Sequence, residues 1–153
     1  MRKIQLILIC ILLFSSCDGS LGGFDDRIFP TSKKKLEVAL DQLYLDHPQY
    51  IIPDKWKDFD SWSRNGYDFL ESRIFYLREH PEEMYYVSFV GDSAMLANPK
   101  QVVIAIRAVN KGDYKWYLEE DCDKKERERI ESRFDQEIIS KLEGYTQCKA
   151  KRD

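Results

Sequence analysis

Two runs of β-branched and aromatic residues decide the fold of this chain: MYYVSFV at residues 84–90 and QVVIAIRAV at residues 101–109. Such residues favour extended backbone. The stretch between the runs contains Gly, Asp, Asn and Pro, which favour loops. The two runs therefore predict neighbouring antiparallel strands.

Shorter stretches on either side extend this pair into a meander. Residues 110–113, Asn-Lys-Gly-Asp, predict a tight turn, and the alternating residues 114–119 predict a further strand. Residues 72–78 are rich in strand formers, although the apolar spacing across residues 67–77 also fits a helix. We favour the strand, and expect an antiparallel sheet of three or four strands.

One amphipathic helix is predicted before the meander and another after it. Residues 30–32, Pro-Thr-Ser, open the first with a hydroxyl cap, and Pro48 stops it. Asp123, with Glu126 three residues later, opens the second over residues 124–143, and Gly144 is expected to end it. The apolar stripes consist of Leu36, Ala39, Leu40, Leu43 and His47 in the first helix, and of Ile130, Phe134, Ile138 and Leu142 in the second.

A sheet covered by two such stripes indicates the α+β class, with one domain over residues 31–148 and a charged tail at residues 149–153. Between the first helix and the sheet, a loop and a short helix starting near residues 53–54 and ending near residues 65–66 carry the aromatic residues Tyr50, Trp56, Trp62 and Tyr67. These four are the candidate binding surface. The same side chains can instead seal the sheet beneath them.

The N-terminus has the pattern of an export signal. Arg2 and Lys3 precede an apolar run of residues 4–14 that is too short to span a membrane, and Ser15-Ser16 then lead into Cys17. Residues 13–17, Leu-Phe-Ser-Ser-Cys, resemble the lipobox of bacterial lipoproteins. The resemblance implies cleavage after residue 16 and a diacylglycerol on Cys17, with residues 17–30 as a flexible tether.

Such an anchor makes a bacterial membrane the first expected partner and places the protein in the cell envelope. Whether that membrane is the inner or the outer one stays open. Lipidation of Cys17 also leaves an even number of cysteines in the mature chain, Cys122 and Cys148. A disulfide between these two would need the intervening helix to end early or bend, because a helix over residues 124–143 is about 30 Å long. Two free thiols, or an intermolecular bond through Cys148, are the alternatives.

Charge and motifs narrow the function classes. Beyond the signal, 22 basic residues remain against 27 acidic ones, a formal charge of −5 that argues against nucleic acid as a partner. No metal-ligand spacing or catalytic motif stands out, and we expect no cofactor. Gly91-Asp92-Ser93 resembles the nucleophile block of GDS-type hydrolases, but both histidines precede Ser93, so we interpret it as a polar loop. Glu79, Glu82 and Glu83 are interpreted as an ordinary solvated turn.

The function that these observations favour is noncatalytic binding of an envelope protein or polymer. An immunity or inhibitor lipoprotein that neutralises a toxin or envelope enzyme is the main alternative. A small hydrolase acting through a carboxylate pair is a third.

The lipidation hypothesis predicts the behaviour of Cys17→Ala. We expect this variant to move from the membrane fraction to the soluble fraction while its circular dichroism spectrum stays unchanged, because only the acyl chains hold the domain on the bilayer. Cell fractionation followed by immunoblotting measures this. Retention of the variant in the membrane fraction would refute the anchor assignment.

Overall fold

The computed structural model describes residues 23–60 and 71–153 as an antiparallel sheet whose two long helices pack on one face. The chain therefore has the predicted α+β fold. The signal sequence, Cys17, Trp62 and Tyr67 lie outside the described residues.

Six strands form the described part of the sheet, in the order β2-β3-β4-β1-β6, with β5 paired to the end of β4. All neighbouring pairs are antiparallel. The strands are β1 (Arg27–Phe29), β2 (Ser72–Leu77), β3 (Glu83–Val90), β4 (Val102–Asn110), β5 (Trp116–Tyr117) and β6 (Lys151–Arg152).

Strands β2 to β5 form the predicted meander. The central pair is β3 and β4, where Tyr86 lies opposite Ala108 but Val87 lies opposite Ile106. Arg107 is therefore an extra residue in β4, a β-bulge, and its Nε donates a 2.8 Å hydrogen bond to Ser88. The stretch from 72 to 78 is a strand, as favoured, whereas the strand expected over residues 114–119 contains only two residues.

The chain ends were assigned wrongly from sequence, and the sheet has more strands than expected. Phe24 and Arg27 are buried and β1 pairs with β4, so the stretch from residue 24 to residue 30 belongs to the fold and not to a tether. The supposed charged tail contains β6, which pairs with β1. Strands of two or three residues show too little alternation to be recognised in a sequence.

The first predicted helix is confirmed as α1, Lys33–Asp46. The Ser32 hydroxyl accepts a hydrogen bond from the Lys35 backbone N–H, and His47 forms the C-cap. Of the predicted stripe, Leu36, Ala39, Leu40 and Leu43 are buried, and His47 is half-buried. One further turn of helix, α2 (Ser93–Leu96), lies in the loop between β3 and β4, where Asp92 accepts from the Met95 N–H.

The C-terminal helix is continuous but changes its winding. It consists of α3 (Lys124–Phe134), a π-helical segment (Asp135–Ile139) and α4 (Ser140–Thr146). The Asp123 cap is confirmed, and the four predicted stripe residues are fully buried. The end at Gly144 was wrong, because the helix continues to Thr146 and stops at Gln147, whose φ is 56°.

The uninterrupted helix explains why the two thiols do not meet. Cys122 precedes α3 and Cys148 follows α4, and both are free. Cys122 is buried, and its burial raises the pKa of the thiol. The Cys148 Sγ lies 3.7 Å from the carbonyl oxygen of Pro30. The disulfide considered from the sequence is therefore absent.

Glu83 joins the helix to the sheet. Its side chain is completely buried and accepts hydrogen bonds from Arg129, Arg133 and the Tyr85 hydroxyl, the last at 2.8 Å. The interpretation of this glutamate as part of a solvated turn was wrong. Its position as the first residue of β3 turns its side chain towards the helices, where two cations compensate its burial.

Glu83→Gln is predicted to destabilise the fold by about 3 kcal/mol, because two arginines would lose the charge that compensates them. Glu128→Gln is the matched control, since Glu128 is 62% exposed and its Lys124 partner is 3.9 Å away. Urea unfolding measures both. Equal losses of unfolding free energy in the two variants would contradict the role of Glu83.

Candidate functional site

The outer face of the sheet, opposite the helices, is covered in part by an aromatic segment. A 3₁₀ helix, Asp54–Phe59, packs here and is called the cover helix. Its start agrees with the predicted helix, but it ends at Phe59, before the predicted end near residues 65–66, which lies outside the described residues. The buried centre of the contact consists of Trp56, Tyr76 and Met84. Ile52, Phe59, Ile74 and Trp116 surround it.

Glu82 fixes the cover helix to the sheet. One of its oxygens, Oε1, accepts from the Lys55 ammonium at 2.5 Å, from the Tyr76 hydroxyl at 2.6 Å and from the Trp56 indole N–H at 2.9 Å. Hydrogen bonds from Lys55, then from Tyr76 and Trp56, lower the pKa of the Glu82 carboxyl from 4.5 to about 2. Glu82 is therefore an ionised structural acceptor at neutral pH.

The four aromatic residues chosen from sequence do not form one exposed surface. Tyr50 is buried in the main core on the helix face, where its hydroxyl donates to the Glu137 carboxylate at 2.8 Å. Trp56 is buried in the separate cluster on the outer face. The candidate surface was therefore wrong for these two residues, which seal the sheet. Trp62 and Tyr67 lie outside the described residues.

Tyr114 is the exposed aromatic residue of this region. Its side chain is 86% exposed, although its ring centroid lies 5.2 Å from that of Phe59 and 6.3 Å from that of Trp56. These three residues are called the aromatic corner. The alternation of residues 114–119 predicted a strand that includes Tyr114, and this was wrong, because Tyr114 precedes β5. The turn motif at residues 110–113 was the available signal, because a residue just after a tight turn lies at the end of a sheet.

The turn that carries Tyr114 is held by a buried asparagine. The Asn110 side chain is fully buried, and its Nδ2 donates to the carbonyls of Asp113 at 2.6 Å and Lys115 at 3.0 Å. Its Oδ1 accepts from the Gly112 N–H at 2.9 Å. Gly112 has a φ of 77°, which a residue with a side chain would adopt at a cost. The backbone on both sides of Tyr114 is thus fixed before any partner arrives.

Charged side chains cluster around Tyr117, which packs against the main core on the helix face and not against the aromatic corner. The Asp113 carboxylate accepts from the Tyr117 hydroxyl at 2.7 Å, and the ammonium groups of Lys111 and Lys115 each lie 4.6 Å from the centroid of the Tyr117 ring.

Other kinds of site were sought in the same part of the chain. Within residues 23–60 and 71–153, no group of three His, Cys, Asp or Glu side chains is placed to hold a metal ion. In these ranges no helix has the length and apolar character needed to cross a membrane. The Gly91-Asp92-Ser93 block has a structural role, since Asp92 is the N-cap of α2.

Comparisons with known proteins gave no match that could indicate a function. No family model, curated protein or solved structure matches this chain. Its function must therefore be inferred from its own residues.

The hydrogen bonds that Glu82 accepts predict that the stability of the fold depends on pH. Because the pKa of the folded state lies below the ordinary value of 4.5, the contribution of Glu82 is present above that value and is lost as the pH falls towards 2. Glu82→Gln should therefore cost about 1 kcal/mol of unfolding free energy at neutral pH and much less near pH 3.

Urea unfolding at a series of pH values measures this difference. Glu120→Gln is the control, since Glu120 is exposed and makes no hydrogen bond or ion pair with other described residues. A Glu82→Gln cost that is the same at every pH would show that ionisation of Glu82 does not hold the cover helix.

Proposed function

We propose that this chain is a lipid-anchored, noncatalytic binding module of the bacterial cell envelope, which contacts a partner protein through the aromatic corner. The observation that carries the proposal is the exposure of Tyr114 on a turn held by buried Asn110. A soluble domain gains no stability from a tyrosine ring that is 86% in water. Contact with a partner protein would explain why the exposed Tyr114 ring is held on a fixed turn.

The geometry suits binding because little freedom is lost when Tyr114 is covered. The backbone is already fixed, and a tyrosine side chain has few rotatable bonds, so the entropy cost of immobilising it is small. Tyrosine and tryptophan are enriched among the residues that dominate binding energy at protein interfaces. Phe59 and Trp56 support the ring from beneath, which keeps it raised towards a partner.

Acylation of Cys17 would place the domain at the membrane. The lipobox-like residues 13–17 support acylation of Cys17, and two or three acyl chains hold a protein on a bilayer stably. Phe24 is already part of the fold, and its N–H donates to the carbonyl of Ile106 at 3.1 Å. Six residues lie between Cys17 and Phe24. The seven steps from Cys17 to Phe24 span at most about 25 Å, so the domain stays next to the membrane and meets partners there.

Site-specific photocrosslinking in the native cell tests the proposal. A photoreactive phenylalanine analogue at position 114 of the full chain should give a discrete adduct with one envelope protein. The same analogue at position 45 is the control, because Leu45 is also a large exposed side chain, 74% in water, but lies on α1 at the helix face. No adduct is expected from position 45.

The partner identified in this way is then purified and titrated with the full chain. Tyr114→Ala should weaken its binding at least tenfold, and Leu45→Ala should not change it. A partner that is a toxin or an envelope enzyme would place the chain among inhibitor lipoproteins. Equal labelling from both positions, or unchanged affinity in Tyr114→Ala, would refute the aromatic corner as the contact surface.

A further inference from the structure

A cleft of about 340 Å³ opens beside the end of β2. Its walls come from the 3₁₀ turn Pro48–Tyr50, the end of β2 with the residues after it, and the C-terminal helix. The polar side chains that line it are Gln49, Tyr50, Arg78, Glu79, Arg133 and Glu137. Clefts of this size with a few convergent polar groups are typical of small-ligand sites.

Arg78 brings an uncompensated positive charge to this cleft. It lies directly after β2, is exposed, and forms no ion pair with another residue in the described ranges. A guanidinium group binds carboxylates through two parallel hydrogen bonds, so a free arginine beside a cleft favours a carboxylate on the ligand.

The opposite wall carries negative charge. Glu137 lies in the π segment, and one of its carboxylate oxygens accepts from the Tyr50 hydroxyl, leaving further lone pairs of the carboxylate for a donor on a ligand. The Lys141 ammonium is bound to the Glu137 backbone carbonyl at 2.8 Å and is 3.9 Å from the carboxylate. The Glu79 carboxylate adds a second negative group on the rim. These walls disfavour a ligand that is only anionic and favour one that also carries an ammonium group.

One charged side chain of the cleft is held firmly in place. Arg133 lines the cleft and donates to the carbonyls of Glu79 and Pro81 as well as to Glu83, so its position is fixed by three acceptors. The wall that holds Glu137 is the π segment, and such interruptions of α-helices are frequent at functional sites.

The backbone at the edge of β2 adds the groups that a peptide would recognise. Because the Glu71 carbonyl accepts from the Phe89 N–H, alternate residues of β2 face β3, and the N–H and C=O of Ile74 and Tyr76 face away from it. The Ile74 carbonyl is already occupied by the Tyr44 hydroxyl at 2.7 Å. Tyr76, which lines the cleft, keeps both groups available among the described contacts.

We infer that this cleft binds a whole short peptide with free termini, its carboxylate on Arg78 and its ammonium group beside Glu137, with backbone contact to Tyr76. The cleft shares no lining residue with the aromatic corner, and the inference does not rest on the proposed function.

The test uses the full chain purified in detergent and a mixture of tripeptides with free termini. Saturation-transfer NMR and calorimetric titration at millimolar peptide are expected to show binding. The amidated mixture should bind at least tenfold more weakly. Arg78→Gln should weaken the binding of the free peptides to the same extent. It should leave the binding of the amidated peptides unchanged, since these already lack the carboxylate that Arg78 contacts.

The contact between the peptide ammonium group and Glu137 is tested in the same way. Glu137→Gln should weaken the binding of peptides with a free amino terminus. N-acetylated peptides should bind the wild-type protein and the variant equally. Arg127→Gln is the matched arginine control, because Arg127 is 40% exposed and pairs with Glu119 away from the cleft. Thermal melts confirm that each variant is folded.

Three results would overturn the inference. They are an absence of tripeptide binding, equal binding of the free and amidated mixtures, and equal losses in Arg78→Gln and Arg127→Gln. Inorganic phosphate that binds as well as the peptides and competes with them would equally overturn it, by showing an unselective anion site.

Discussion

Two neighbouring glutamates hold the covers of both faces of the sheet. Successive side chains of an extended chain point to opposite faces, so Glu82 and Glu83 point in opposite directions where β3 begins. Glu82 binds Trp56 and Tyr76 on the outer face, and Glu83 binds Arg129 and Arg133 on the helix face. The turn between β2 and β3 is therefore the point at which three separate parts of the chain are joined.

Both candidate binding regions depend on this joint. The cover helix buries a single residue, Trp56, so hydrogen bonding to Glu82 is a large part of what orients it. Trp56 in turn lies beneath Tyr114 in the aromatic corner. On the other face, Arg133 is fixed by Glu83 and lines the cleft. A displacement of the turn would move both regions together.

The parts of this fold that sequence predicts are those with long periodic signals. Helix α1, the fully buried stripe of the C-terminal helix and the strands of the meander follow from apolar spacing, caps and turn residues. β1 and β6 are too short to show a period, and the glycines before β1 suggested a tether. The π segment leaves the apolar spacing intact, so nothing in the sequence marks it.

The sites were less predictable, because they depend on which side a residue faces in the folded chain. Trp56 and Tyr114 are both aromatic residues in polar surroundings, yet one is buried and the other is almost fully exposed. Glu83 sits in a run of charges that is typical of a solvated turn, and its burial depends on arginines that lie 46 and 50 residues further along the chain. Hydrogen–deuterium exchange of Glu82→Gln and Glu83→Gln tests the joint most directly. Glu82→Gln should exchange faster in residues 54–59 but not in residues 124–146, and Glu83→Gln should show the reverse. Acceleration of both regions by both variants, or of neither, would contradict separate roles for the two glutamates.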